Sequence, residues 1–428
     1  MTWPADGSSR RTERVLTRLA WYGGADVGRG SSVTIASLDI NFFDPVLIAD
    51  PFAAYEEVRA AGRVVWNGAM RAWMVPGYDD CRTVLTDYGR FSNAQYRDRE
   101  KVWWFEDSNM VMVEPPEHHR LRNPLAPMLT RTAVARLEGH VAETVEHLLE
   151  PLRDGADRFD IISDFTMIPT VVLAEMIGVP ADRRDDFRRW SSTIAGSLAY
   201  GLEDPETLGA MRQASAELRL YLAEEFERHR QDRPDDLLTA LLDQPADSRM
   251  SDPEIRSAIS VLLLAGYDTT AKLMSNALVV LEQYADQRRR AAADPGLIPA
   301  VVEEVLRWCG VLHGVLRTVE TTTELAGVTV EVGDMVCTLP AAANRDPQRW
   351  AEPDRFDIDR EQRAHLGFGY GPHLCIGAPL ARLETRVALQ TLLRMAPEYH
   401  LTDVDYGTAW YLRGPVRGLL HAATVAAA

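Results

Sequence analysis

The sequence predicts one large domain, mainly α with minor β (α+β), built around a long buried helix. Three observations predict it. Apolar residues recur at helical spacing from 117 to 245, as in "VARLEGHVAETVEHLLEPLRDG". The stretch 251–287 opens with Ser251, Pro253 and Glu254, a helix-start pattern, and stays apolar through its middle. The stretch "LRTVETTTELAGVTVEVGDMVCTLP" (316–340) is rich in Thr and Val and broken by Gly327 and Gly333, which reads as short strands with turns. The 428 residues are 46% hydrophobic and 25% charged, an ordinary globular balance. No Pro/Gly/Ser-rich linker follows position 40, and no repeat of fixed period appears. The expected organisation is therefore a single domain over 37–428, preceded by a loosely ordered extension over 1–36.

The elements follow in order. "DPFAAYEEVRAAGRVV" (50–65) reads as a helix leading to a strand, and "RAWMVPGY" (71–78) as a strand and a turn. "YDDCRTVLTDYGRF" (78–91) reads as a short amphipathic helix. Residues 92–113 have no clear period yet hold Trp103, Trp104 and Phe105, and long loops in compact domains are often functional. Gly155 is placed to close the helix before it. The 251–287 helix would run roughly 50 Å at 1.5 Å per residue. "PGLIPAVVEEVLRW" (295–308) is a shorter helix. "APLARLETRVALQTLL" (378–393) is another helix-like run.

Composition excludes several classes. A net charge of -17 argues against nucleic acid and against an anionic membrane surface. Cys81, Cys309, Cys337 and Cys375 show no paired spacing, so a reducing, cytoplasmic setting is expected. The N-terminus lacks the roughly 7–15 apolar residues of a signal peptide. No run of ~18 apolar residues suggests a membrane-spanning helix.

Three stretches carry chemistry. The first is Gly266–Tyr267–Asp268–Thr269–Thr270, inside the long helix. Gly costs about 1 kcal/mol there relative to Ala, and an acid in an apolar run needs partners. It is either a solvent-facing Asp on a bent helix, or a widened turn whose Thr hydroxyl bonds the backbone and opens a groove for a small molecule. The second is Glu304 and Arg307, i and i+3 on one helix face. A lone pair of this kind is usually a solvated ion pair. Arg355 downstream could make it a buried Glu–Arg–Arg network holding a loop rigid. The third is "FGYGPHLCIG" (368–377). Its cysteine is a buried structural thiol, a nucleophile or a metal ligand. A position just before a helix favours thiolate. Gly369, Gly371 and Gly377 leave room for a flat, bulky ligand against the backbone. His373 alone does not complete a zinc site. Haem ligation by one thiolate suits the stretch best.

Together these stretches resemble the cytochrome P450 family of haem-thiolate monooxygenases. "AGYDTT" (265–270), "EEVLRW" (303–308) and "FGYGPHLCIGAPLARLE" (368–384) follow the family's order of A-G-x-D/E-T-T, E-x-x-R and F-G-x-G-x-H-x-C-x-G. "EPPEHHRLR" (114–122) looks like the bacterial D-P-P-E-H-T-R-L-R, with Glu for Asp and His119 for Thr, and "ANRDP" (343–347) also matches. The resemblance spans roughly positions 40–425.

The resemblance implies the cytochrome P450 fold, with a long central helix over the haem and a small β-rich region. It implies non-covalent haem b, with Cys375 as the iron ligand and Phe368 beside the sulfur. His118, Arg122, Arg317 and His373 match positions that pair with the haem propionates, where cation–carboxylate pairs suit the task. For His118 the alternative is a surface histidine. Ala265 and Gly377 would lie against the haem. Asp268 and Thr269 match the acid–alcohol pair that supplies protons for dioxygen cleavage. Val111, Val261, Leu264, Ala265, His313 and Val315 match pocket positions. His313 is either a donor to substrate or bonded to nearby backbone. Trp103, Trp104 and Phe105 either stack a substrate or hold their loop down.

The implied reaction inserts one oxygen atom from O2 into a small or medium apolar organic molecule, aromatic ones included, by hydroxylation or O-dealkylation. The length leaves no room for flavin domains, so electrons would come from a separate ferredoxin and its reductase. Arg120, Arg122 and Arg382 would form the local docking patch. Oxidative coupling or ring closure is the alternative chemistry, and a non-catalytic haem sensor or carrier the alternative class.

Overall fold

The computed structural model describes residues 36–93, 108–154, 158–200, 205–245 and 249–422. Its largest sheet has six strands: β1 (Ser37–Leu38), β2 (Val65–Asn67), β3 (Ala72–Val75), β4 (Phe91–Ser92), β6 (Val315–Val319) and β9 (Met335–Thr338). They lie in the order β1-β2-β3-β9-β6-β4. β3 and β9 pair in parallel at its centre, and every residue of both is buried. That explains their apolar runs, Ala-Trp-Met-Val and Met-Val-Cys, since a strand covered on both faces need not alternate. Met74 and Cys337 face a cluster with Phe42, Tyr55 and Val58. Trp73 and Val336 face the other side, with Tyr78 and Cys81. β7 (Thr323–Leu325) and β8 (Val328–Val330) form a hairpin, so 316–340 does break into short strands. β5 (Arg158–Asp160), β10 (Tyr399–Asp405) and β11 (Arg417–Ala422) make a small third sheet in the order β10-β11-β5.

The rest is helix. The central helix runs Asp252–Gln283, 32 residues, or about 48 Å. Ser251 caps it: its hydroxyl accepts from the Glu254 N–H at 3.3 Å, and Glu254 accepts from the Ser251 N–H at 2.7 Å. It stops at Tyr284, short of the expected 287, and a second helix, Ala285–Ala293, follows. Helices Met167–Ile177, Ile298–Trp308 and Ala378–Met395 pack against it, which is why its sequence stays apolar around most of its girth. No widened turn interrupts it at Gly266. That glycine serves packing instead: a Cβ there would lie 2.8 Å from Leu173 Cδ1 on the Met167–Ile177 helix. Gly155, expected to close a helix, lies outside the described residues; the helices before it are Glu138–Leu148 and Glu150–Arg153.

The Glu–Arg–Arg network exists, with a different third member. Glu304 and Arg307 are buried and joined by two hydrogen bonds of 2.7 Å. Arg307 also donates to the carbonyls of Asn344, Pro353 and Arg355. The second arginine is Arg360, whose Nε meets Glu304 Oε1 at 3.1 Å. Arg355 contributes only its carbonyl; its side chain is exposed and pairs with Glu352 and Asp357. The arginine five residues further along reaches inward because its segment folds back over the Arg355 carbonyl, to which it donates at 2.8 Å.

Candidate active site

Cys375 sits in a tight loop between Phe368 and the helix Ala378–Met395. The Cys375 N–H donates to the Phe368 carbonyl at 3.0 Å, and Leu374 N–H to Gly371 at 3.1 Å. Gly371 has φ +73°, and a Cβ on it would lie 2.4 Å from the Leu85 carbonyl oxygen. Its glycine is therefore demanded by the helix Tyr78–Thr86, not by room for a ligand. At Gly377 a Cβ would make only ordinary contact with Cys375 Sγ, at 3.9 Å. Cys375 is exposed on one side yet closely walled by protein on the others. That walling pushes its thiol up. The N–H groups of Gly377 and Ala378 and the guanidiniums of Arg122 and Arg382 pull the other way without winning. The helix start thus eases ionisation but does not secure it.

Beside this loop lie two imidazoles. His118 and His373 have ring centroids 4.5 Å apart. His118 is buried, and neither of its ring nitrogens has a hydrogen-bond partner. Burial, then His373 and Arg122, hold it down at about 4, so it is neutral at pH 7 and not a cation. His373 Nε2 lies 2.9 Å from Glu114 Oε2 and 3.1 Å from Asn93 Nδ2. Burial pushes Glu114 up, but His373, the Asn93 N–H and Arg317 together bring it below the usual carboxylate range. Arg122 donates to the Leu374 carbonyl at 2.6 Å, fastening the helix Glu117–Arg122 to the cysteine loop. Arg317, on β6, is buried and donates to the Leu316 carbonyl at 2.8 Å.

On the central helix, Ala265 is exposed within an otherwise covered run. Thr269 donates to its carbonyl at 2.5 Å. Asp268 pairs with Lys272 one turn on. Val111 is 41% exposed, and Leu264 and Val315 are half-buried. Val261 is buried in the main core. His313 is a correction. It is fully buried; Nδ1 lies 2.8 Å from the Tyr55 hydroxyl and Nε2 2.8 Å from the Cys309 carbonyl. With both nitrogens engaged in the core it offers nothing to a substrate. Trp103, Trp104 and Phe105 lie outside the described residues.

Comparison with known proteins decides the family. A family model described as Cytochrome P450 matches residues 203–294 and 295–395. The cytochrome P450 monooxygenase PikC of Streptomyces venezuelae is 34% identical over 403 residues, covering 91% of this chain and 94% of its own. The chain belongs to the cytochrome P450 family. The mycinamicin IV hydroxylase/epoxidase of Micromonospora griseorubida is 32% identical over 381 residues, 86% of this chain and 94% of that protein. Among solved structures, CalO2 aligns with TM-score 0.84 at 28% identity, covering 90% of this chain and 99% of that one. P450BioI, solved with an acyl carrier protein bearing hexadec-9Z-enoic acid, aligns with TM-score 0.79 at 28% identity, covering 89% and 99%. The protein is thus a cytochrome P450 monooxygenase, an oxidoreductase, and family membership implies a haem-thiolate cofactor.

The residues of this P450 suit that cofactor. A buried imidazole with both nitrogens unpartnered needs an acceptor or donor beside it, and a propionate is such an acceptor. Among the described residues, no group of three or more His, Cys, Asp or Glu side chains could hold a metal ion. The proposed docking patch is depleted. Arg120 is paired with Glu117 and Glu254, and Arg382 with Glu303, which also meets His365. Arg122 is the member whose guanidinium bonds a carbonyl instead. Sequence reasoning missed Glu114, Arg360 and Lys272. Lys272 had a signal, its i+4 offset from Asp268 inside an apolar run. Arg360 had none, because loop folding chose between two arginines.

Proposed function

We propose that this P450 inserts one oxygen atom from O2 into a small or medium-sized apolar organic molecule, by hydroxylation or O-dealkylation. Electrons come from a separate ferredoxin and its reductase. The observation that carries the reading is His118: buried, unsatisfied at both nitrogens, and packed at a tilt against His373 in the loop of Cys375. Cys375 is assigned as the iron ligand, and His118, His373, Arg122 and Arg317 as the groups that receive the propionates. Phe368 and Gly377 flank the sulfur. A haem held this way supplies dioxygen activation, with the thiolate favouring O–O cleavage. Thr269 holds its hydroxyl at the exposed Ala265, where it can pass a proton to a reacting oxygen. Asp268 is the neighbouring acid that resupplies it. Ala265, Leu264, Val111 and Val315 line the space for substrate, and Val261 backs them from the core. Relatives named as hydroxylases and epoxidases favour oxygen insertion over ring closure. Four free cysteines suit a reducing cytoplasm.

The test has two stages. Reduced protein under carbon monoxide should absorb near ~450 nm, and a band only near ~420 nm would count against thiolate ligation. A spectral-shift screen of aromatics, terpenoids, fatty acids, cyclic peptides and 6-deoxyerythronolide B then finds a ligand. Mass analysis of its product should show a gain of one oxygen for hydroxylation, or, for O-dealkylation, loss of the alkyl group with release of a carbonyl fragment that carries the inserted oxygen. A loss of two hydrogens would move the assignment to oxidative coupling. Reductant consumption with no product from any binder would revive the sensor reading.

A further inference from the structure

Lys272 lies one turn beyond Asp268 on the central helix. Its side chain is 2% exposed, and its Nζ pairs with Asp268 Oδ2, on a side chain 30% exposed. A lysine buried this deeply is rare unless its charge is matched. The stem is fixed as well: a Cβ on Gly414 would lie 2.5 Å from the Lys272 Cβ, so the 414 turn closes directly over it. Lys272 therefore has little freedom to leave, and Asp268 is held by a cation that does not move. Thr269, next in the chain, is tied the other way, to the Ala265 carbonyl at 2.5 Å. Carboxylate and hydroxyl are each pinned to the helix, one turn forward and one turn back.

We propose that Lys272 is a positioning residue for proton delivery: its buried side chain, paired with Asp268 Oδ2, holds the carboxylate in one orientation one turn from the exposed Ala265. The inference rests on reading Asp268 and Thr269 as the proton-delivery pair. Opposite charges in contact at a partly dry site attract far more strongly than in water. The contact runs through Oδ2, so a proton arriving from water is taken and passed on by a carboxylate whose other oxygen has a fixed direction. Without the ammonium, the carboxylate samples several rotamers and the proton path is interrupted part of the time. A second consequence concerns Asp268→Asn. That substitution removes an acid and also strands a buried ammonium, two effects that one variant cannot separate.

A double-mutant cycle separates them. The haem-loaded full chain is compared with Asp268→Asn, Lys272→Met and the double variant; Met keeps the stem and its packing but not the charge. Thermal midpoints are measured, together with peroxide released per NADPH oxidised, using a plant-type ferredoxin and its reductase without organic substrate. Asp268→Asn should lower the midpoint by about 5 °C alone, and by less than about 2 °C in the Lys272→Met background. Lys272→Met should raise peroxide per NADPH at least about twofold, with half-saturating ferredoxin unchanged. Equal midpoint losses in both backgrounds would overturn the pairing. If Asp268→Asn and Thr269→Ala raise peroxide release but Lys272→Met does not, the lysine is merely structural and the proposal fails while the reading beneath it stands. If none of the three changes peroxide release, the proton-delivery reading itself fails.

Discussion

In the proposed reaction Cys375 and Thr269 each act through a single atom, so their replacements give sharp outcomes. Cys375→Ser keeps the loop's backbone bonds but replaces the thiolate with a poor ligand. It should abolish the ~450 nm carbon monoxide band and all turnover. Thr269→Ala removes the hydroxyl held at Ala265. Product per NADPH should fall and peroxide rise by a matching amount, measured on the first substrate the spectral screen yields. His313 belongs with the core despite its polar ring. His313→Ala leaves the Tyr55 hydroxyl and the Cys309 carbonyl unpaired and opens a cavity. It should cost about 3 kcal/mol in a urea titration while leaving the spectral dissociation constant of a bound ligand unchanged. In sequence His313 stood open between a substrate donor and a ring bonded to nearby backbone, because only its distance along the chain from Arg317 was visible. Which way its ring turned depended on Tyr55, 258 residues away.

At the scale of elements, the central helix and the Glu304 network show what local pattern can and cannot specify. The start and apolar length of the helix were legible, though not its end at Tyr284, because a capping box and an apolar face are local properties of the chain. The reason for Gly266 was not, because it lies in the close approach of a second helix at Leu173. For the network, Glu304 and Arg307 could be read from one helix, whereas the third member came from a loop that had two arginines to offer. Arg360→Ala removes an ion pair to a buried carboxylate and bonds to the carbonyls of Ala351, Glu352 and Arg355. It should cost about 2–3 kcal/mol by denaturant unfolding. Arg355→Ala, at an exposed pair, should stay within about 0.5 kcal/mol.

At the scale of the whole molecule, one buried acid shapes how stability depends on pH. Glu384, on the helix Ala378–Met395, is 1% exposed, and its Oε1 has no partner. Burial pushes its carboxyl up to about 8, from 4.5 in the unfolded chain. Below pH 4.5 both states hold the proton and the group costs nothing. As pH rises through 4.5 and on to 8, only the unfolded chain releases it, so stability drains away by an amount on the order of 5 kcal/mol. Glu384→Gln should remove that slope in unfolding curves recorded from pH 5 to 8. The sequence by itself determined the fold class, the long helix, the family and the cysteine loop, since each rests on residues close together in the chain. Tertiary structure alone decided that Arg360 completes the Glu304 network, that His313 is a core joint and that Gly371 yields to Leu85. It also showed that Asp268 is held by a buried lysine. These outcomes depend on which segments meet across the fold and how much water they exclude, and neither is written in local spacing.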